Sequence, residues 1–399
     1  MATVTGMGDT FDLPNYHGEL IAITPTDTPL LSASGGISGG EQTTSTSFEW
    51  QTEDLRAPEI RARLEGADAP TAEERSRSNV GNVVQIFQEA VTTSYSKQAA
   101  IGQYKTVEAA PWNSADGSPN PVADEHGHQV ANALKTIARD VNYTFWHGVI
   151  NRPTAVSGYR KTDGLLNVIT TNREATGEVV DASAATDTIT GTHAFSNGDK
   201  VVFTDVGAST TVRPDTVYYV VNVSTTVSFK VSATLGGSAI TIGTATVSVI
   251  EAATTLTPTI VDSLLQDVFD SGGITEQGTA TLFVPSRQKR ALTAAYADAY
   301  GKANLFQGSR NVGGLNMQTI ETDFGTLNIV IDRAVPPDAI AVVSLEQISP
   351  VFLSIPGKGV LFEEELAKTG ASIKSQIYGE IGLKYGSELS HGVVRGLAV

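Results

Sequence analysis

Three places in the sequence hold side chains whose types and spacing could do chemistry. Gly36-Ile37-Ser38-Gly39-Gly40 has the G-x-S-x-G spacing of a nucleophile elbow, in which a strand must lead into the serine and a helix must lead away from it. Here the strand-like TTSTSFEW follows instead, so the segment reads as a flexible glycine turn and not as an acyl-transfer site. His126 and His128 could be metal ligands, but two residues apart on a helix they point roughly 200° away from each other. No third ligand stands at a useful spacing, so they read as solvated residues of a helix start. Glu363, Glu364 and Glu365 could hold a cation or exchange protons, although three consecutive carboxylates in a polar segment more often form a solvated or partner-facing patch. The glycines of GGSAITIG and NVGGLN lack the spacing that cradles a phosphate. No catalytic, cofactor-binding or metal-binding residue is therefore assigned, and the sequence points to architecture and not to an enzyme.

A different kind of chemistry is concentrated between residues 56 and 79, RAPEIRARLEGADAPTAEERSRSN. Its amino-terminal part carries Arg56, Glu59, Arg61, Arg63, Glu65 and Asp68. Its carboxy-terminal part carries Glu73, Glu74, Arg75 and Arg77. Five charges of each sign stand beside only two large apolar side chains, Ile60 and Leu64. The flanks, TSTSFEWQTEDL and NVGNVVQIFQEAVTTSYSK, alternate polar with β-branched or aromatic residues, the period-2 signature of paired strands. The charged stretch is thus expected at the tip of a long hairpin. A tip of this kind has almost nothing to bury within its own subunit, and ordering it costs on the order of 1 to 2 kcal/mol per residue. It either stays mobile or is ordered by a neighbouring molecule, and balanced charges suit an identical copy.

These stretches hang on elements that the pattern places in order. Residues 1–44 read as an extended arm, interrupted by Pro14, Pro25 and Pro29 and loosened by SGGISGG. Residues 45–98 hold the hairpin. Between 99 and 175 the clearest helix, about 122–149, has Val130, Leu134, Ile137, Val141 and Phe145 on one stripe, with Asp124 and Glu125 favouring its amino end. From 176 to 255 the composition changes to seventeen Thr and fourteen Val with three basic residues. Strand-like runs there are separated by NG, GG and RPD turns, which predicts a small all-β module set into a larger domain. Residues 256–350 mix helix and strand, and 351–399 close the chain with strands.

The formal net charge of −16 over 399 residues argues against a protein that grips phosphate backbones. Eight acidic residues precede the first basic one, Arg56. The lack of cysteine rules out disulfides, thiolate zinc sites and thiol catalysis. The start, MATVTGMGDTFDLP, has neither a basic nor an apolar segment of a secretory signal, and no apolar run is long enough to span a membrane.

The order of elements resembles the major capsid proteins of tailed bacteriophages with the Hong Kong 97-like fold, an α+β architecture. ITPTDTPLLSASGG (23–36), SFEWQTEDL (47–55), TDFGTLNIVIDRAVPPD (322–338) and the run FEEELAKTG…VVRGLA (362–398) are similar to the SU-ten-type major head protein family. The resemblance implies an N-terminal arm, an E-loop, a P-domain with a long spine helix, an A-domain and returning P-domain strands, with 176–255 as an added all-β domain. It implies a virion protein made in the bacterial host cytoplasm. Its main partner is itself, in hexamers and pentamers of an icosahedral shell that encloses double-stranded DNA without sequence-specific binding. Portal, scaffolding or decoration proteins are expected beside it. A phage tail or adhesion protein with a β-rich binding module is the alternative. In some shells of this fold a Lys on the E-loop forms an isopeptide bond with a neighbour's Asn. Residues 56–79 contain no Lys, and Arg cannot serve as that nucleophile because its guanidinium stays protonated, so a non-covalent shell is expected.

Overall fold

The computed structural model describes residues 23–37, 39–53, 58–69, 77–99, 125–153, 158–224, 226–273, 280–299, 319–322 and 324–399. Ser38, Arg56, Glu73, Glu74, Arg75, Asp124 and most of the expected arm lie outside the described residues. The chain divides into two units: 1–26, 88–137 and 362–378 form one, and 27–87, 138–361 and 379–399 form the other.

In the first unit, most of the strand Gln85–Ser94 and the short helix Tyr95–Ala99 accompany the amino-terminal part of the long helix Glu125–His147. A hairpin runs from Leu361–Glu365 into the strand Ser372–Lys384, tied by the Leu366 amide to the Lys374 carbonyl at 2.8 Å. The long helix covers most of its expected range, but its buried stripe is shifted. Ile137, Val141 and Phe145 are buried, whereas Leu134 is 39% exposed and Val130 only half-buried. Ala133 takes the covered place on that turn at 4% exposure. Spacing defines a helical face, while burial needs a layer to cover it, and here the layer falls over the small side chain one position round.

In the second unit a six-stranded sheet runs in the order Thr319–Thr322, Gly325–Ile331, Ala280–Val284, Ile340–Ser344, Gly392–Arg395, Arg173–Ala175. Ala280–Val284 is buried at every position because both faces are covered. Leu282 and Val284 pack with Leu264, Leu265 and Leu292 of the helices Pro258–Asp270 and Ser286–Ala299. On the same strand Phe283 meets Trp146 edge-on, ring centroids 5.4 Å apart. A strand covered on both sides reads as a continuous apolar run and not as an alternation, which is why LFV signals a strand without showing a face. Trp146 donates its indole N–H to Asp332 at 2.9 Å, and Asn142 accepts from the Leu31 amide at 3.0 Å. This seats the short helix Pro29–Ala33 with Leu30 and Leu31 buried.

Residues 179–251 close on themselves as a six-stranded barrel: Val179–Ala185, Thr188–Thr190, Ser228–Ser232, Val217–Ser224, Lys200–Asp205 and Ala245–Glu251, each paired with the next and the last with the first. Its first strand alternates strictly, with Val180, Ala182 and Ala184 buried and Val179, Asp181, Ser183 and Ala185 exposed. In register they face Val249, Val247 and Ala245. Phe203, Phe229 and Tyr218 fill the interior with aromatic volume. Closure leaves no free strand edge to template pairing with another chain. The chain leaves for the barrel and returns side by side, since the Thr254 hydroxyl donates to the Thr176 carbonyl at 2.8 Å.

Candidate assembly surface

The hairpin anticipated around the charged stretch begins from a firm base. Ser47–Glu53 and Arg77–Val83 pair antiparallel through seven residues each, from Ser47↔Val83 to Glu53↔Arg77. The alternating flank that follows the tip then divides: Gln85–Ser94 leaves the hairpin and pairs with Ser372–Lys384 instead. Asn82, fully buried, fixes the departure point. Its side-chain amide donates to the Asp163 and Leu383 carbonyls at 3.2 and 2.8 Å, and its oxygen accepts from the Asp163 amide at 2.9 Å. Trp50 donates to the Gly386 carbonyl at 2.7 Å and meets Tyr385 edge-on at 4.8 Å. Burial, with the nearby carboxylates of Asp163 and Glu388, pushes the Tyr385 hydroxyl up to about 12. Gly382 is required by close approach, because a Cβ there would stand 2.7 Å from the Phe48 ring and 2.9 Å from the Val83 carbonyl.

The tip is the opposite. Every described residue from 58 to 69 is exposed, and the two large apolar side chains are the extreme cases, Ile60 at 100% and Leu64 at 86%. Glu59 and Arg61 pair at 3.6 Å, and the Arg63 guanidinium donates to the Asp68 carbonyl at 2.9 Å. At the base Arg77 donates to the Gln51 side chain at 3.4 Å. Exposed contacts of this kind contribute about 0 to 1 kcal/mol each. Such contacts shape the loop without anchoring it.

The histidines are placed differently from the sequence expectation. His126 is not solvated, since only 17% of its side chain is exposed. Its Nδ1 lies 3.1 Å from the Thr93 hydroxyl, and its Nε2 lies 3.0 Å from the Ser375 hydroxyl and 3.8 Å from Glu363. The strand hydroxyls of Thr93 and Ser375 surround the start of the helix, which a one-dimensional pattern does not convey. A Ser–His–carboxylate relay needs nucleophile and carboxylate on opposite ring nitrogens; here both face Nε2, so the trio is wired for structure. His128 bonds Asn132, its neighbour one turn on, at 2.9 Å. Glu364 accepts from Gln376 at 3.3 Å. Among the described residues no group of three His, Asp or Glu side chains is placed to hold a metal ion.

Sequence reasoning missed a buried charge cluster in the second unit. Asp215, in the RPD turn of the barrel, accepts from His147 Nδ1 and from the Arg395 guanidinium, both at 2.6 Å. Arg395 also donates to Asp338 at 3.0 and 3.3 Å, and Asp338 is wholly buried. Burial alone would raise the Asp215 carboxyl, but the His147 hydrogen bond and the Arg395 charge outweigh it and hold the group below its usual range. Burial likewise opposes the Arg395 charge and is overcome by the two aspartates. The signal was present in GVVRGLA: a lone arginine within an apolar strand demands a buried partner. Glu388 caps the neighbouring loop. Burial opposes its charge, but the amides and hydroxyls of Thr170 and Thr171 hold its carboxyl below the ordinary value.

Comparison with known proteins places this geometry. A family model described as SU10 major capsid protein matches residues 3–398. No curated protein sequence matches significantly. Among solved structures, the capsid asymmetric unit of Cyanophage A-1(L) aligns with TM-score 0.56 at 10% identity, covering 98% of each chain. The capsid of Cyanophage P-SCSP1u aligns with TM-score 0.53 at 10% identity, covering 100% of this chain and 96% of that one. The capsid of the empty GTA particle gives 0.51 at 10% identity, with 100% and 99% covered. At this identity the likeness is one of fold, a mixed α/β fold of the phage capsid type.

Proposed function

Because the chain belongs to the SU10 major capsid protein family, and so is a major capsid protein of a tailed phage and a member of a structural and not an enzyme family, we propose how its parts divide the work of building a shell. The subunit associates with copies of itself into hexamers and pentamers that close icosahedrally around double-stranded DNA. The charged stretch, residues 56–79, which is the hairpin tip together with the first three residues of its returning base strand, lies across the adjacent subunit. There Arg56, Arg61, Arg63, Arg75 and Arg77 pair with carboxylates, and Glu59, Glu65, Asp68, Glu73 and Glu74 with bases. The observation that carries this reading is the contrast within one hairpin: a base tied down through Trp50 and Asn82, and a tip from 58 to 69 with Ile60 and Leu64 open to water. Within the subunit the described tip makes exposed polar contacts worth little against the cost of ordering it, whereas a neighbour can cover both apolar side chains.

Residues 176–255 serve as an inserted all-β domain in a Hong Kong 97-like fold, flanked by P-domain and A-domain segments. Support comes from the closed barrel, its separate core and the adjacency of Thr176 and Thr254. The shell is held by non-covalent contacts, since residues 56–79 hold no Lys. It does not grip its genome by a basic lining, given a net charge of −16. Synthesis in the host cytoplasm and contacts with portal, scaffolding or decoration proteins complete the proposal.

Negative-stain microscopy of the expressed chain tests it. Shells or capsomer rings are expected, and those particles boiled in detergent should run as a single band near 41.9 kDa. Discrete monomers under every assembly condition, or fibres, would contradict the self-assembly reading; a covalent ladder would contradict the non-covalent one.

A further inference from the structure

The barrel is joined to the rest of its unit by two chain connections that run together. The Thr176 amide donates to the Arg395 carbonyl at 2.9 Å, and the Thr254 amide to the Gly396 carbonyl at 3.2 Å. The two connections touch, since a Cβ on Gly177 would lie 2.1 Å from the Glu251 carbonyl. Close by, Val202, Ile250 and Ala252 pack with Val217 and Val399, and Lys200 bonds the Val399 carbonyl. Paired connections with a small apolar seat behave as a hinge. Their backbone hydrogen bonds fix the module at one place, where it can still pivot, and the apolar contact beside them is non-directional.

Asp215 adds a second directional anchor, away from the connections. It is in the loop between the strands Lys200–Asp205 and Val217–Ser224, held in a left-handed backbone conformation (φ 57°) after Pro214. Its amide donates to the Phe203 carbonyl at 2.9 Å, which fixes the turn to the barrel wall. From there the carboxylate leaves the barrel and meets two donors that belong to other elements: His147 at the end of the long helix and Arg395 on the last strand. Both donors are themselves fixed. His147 Nε2 lies 2.6 Å from the Ala334 carbonyl and its ring stacks on Tyr143 at 4.2 Å, while Arg395 is held by buried Asp338. A charged acceptor between two fixed, directional donors has one geometry, because a displaced carboxylate would be buried and unpaired.

We infer that Asp215 is a positioning residue that locks the barrel in one orientation on the long helix and the last strand, so that every copy in the shell presents the barrel the same way. The inference rests on the reading of 176–255 as an inserted domain. Its mechanism is local and ionic, and it singles out one side chain among the barrel's contacts with its surroundings.

The test uses full-length Asp215→Gly and Asp215→Asn. Glycine tolerates the left-handed backbone and removes the whole side chain, while asparagine tolerates it and removes only the charge. Hydrogen exchange is read on free subunits and on shells, so a loss of assembly leaves a measurement in hand. Cryo-electron microscopy reads the density of the barrel against the rest of the subunit. In the glycine variant the connections at 176–178 and 252–254 should exchange roughly tenfold faster or more, with barrel density blurred, while the barrel strands keep their protection. The asparagine variant should fall between that and the parent. Unchanged connections and density would overturn the lock and leave the inserted-domain reading standing. Loss of protection in the barrel strands alone would also overturn it, since Asp215 would then be part of the barrel's own fold. Loss throughout the chain would go against the inserted-domain reading itself.

Discussion

The barrel and the hairpin tip are the two most unlike regions of this chain, and both are rich in residues that by composition look like surface. Thr- and Val-rich sequence around 176–255 folds into a closed wall with Phe203, Phe229 and Val220 wholly buried. Residues 58–69 are exposed throughout. The difference lies in pairing. Alternation lets each barrel strand give one face to a common interior, and closure gives each strand two partners. The tip has charges of both signs but no alternation and only Ile60 and Leu64 as large apolar side chains, which is why we propose that its order comes from outside the subunit. One region holds its shape by its own burial, and the other, on the reading proposed above, gains its shape on assembly.

The sharpest attempt to break this contrast is Phe229→Ala. A large ring removed from the barrel interior should cost about 3 to 5 kcal/mol, read by chemical denaturation with a barrel-specific probe, with hydrogen exchange of the tip unchanged. A loss below about 1 kcal/mol would mean the barrel is not held by its own core. Next in size is a pair on the long helix. Ile137→Ala should cost about 2 to 5 kcal/mol, as a buried aliphatic does, while Leu134→Ala should cost about 1 kcal/mol or less in the isolated subunit. Equal losses would return the stripe to its sequence-based assignment.

Acid separates the rest of the second unit from both regions. His391 is wholly buried, accepts the Ser344 amide at Nδ1 (3.2 Å) and bonds the Tyr385 carbonyl through Nε2 at 2.9 Å. Burial lowers its pKa from 6.5, outweighing the Tyr385 bond and the Glu388 charge. The unfolded chain therefore binds a proton below about pH 6.5 that the folded chain refuses, and stability from this group is full above that pH and falls as the pH drops toward the folded value. The slope of stability against pH just below 6.5 should shrink in His391→Gln, and an unchanged slope would remove His391 as its source. The smallest effect belongs to the tip. Ile60→Ser with Leu64→Ser should move the stability of the free subunit by less than about 0.5 kcal/mol and yet slow or abolish shell formation. A destabilised monomer, or normal assembly, would break the contrast.

Much of this was legible in the chain. Period-2 flanks pointed to the paired strands of the hairpin, and the abrupt Thr/Val composition pointed to a run of short strands without showing that they close, because alternation and composition are local signals and closure is not. Long-range pairings were not: Glu41–Thr43, inside the expected arm, pairs parallel with Ser349–Leu353, and Arg173–Ala175 joins the sheet edge beside Gly392–Arg395. Three-residue strands carry too little pattern to be seen. His126 was misread because the hydroxyls of Thr93 and Ser375 that receive it lie 33 and 249 positions away. The Asp215 cluster depends on three separate elements meeting, and only the lone Arg395 in its apolar strand hinted at it.

The central claim is that the tip is ordered by a neighbouring subunit, and the most direct measurement is hydrogen exchange of residues 58–69 in free subunits and in closed shells. The account predicts exchange near the unprotected rate in the free subunit and slowing of about a hundredfold or more in the shell, as expected when a locally unstable segment is covered. Equal exchange in the two states would contradict it.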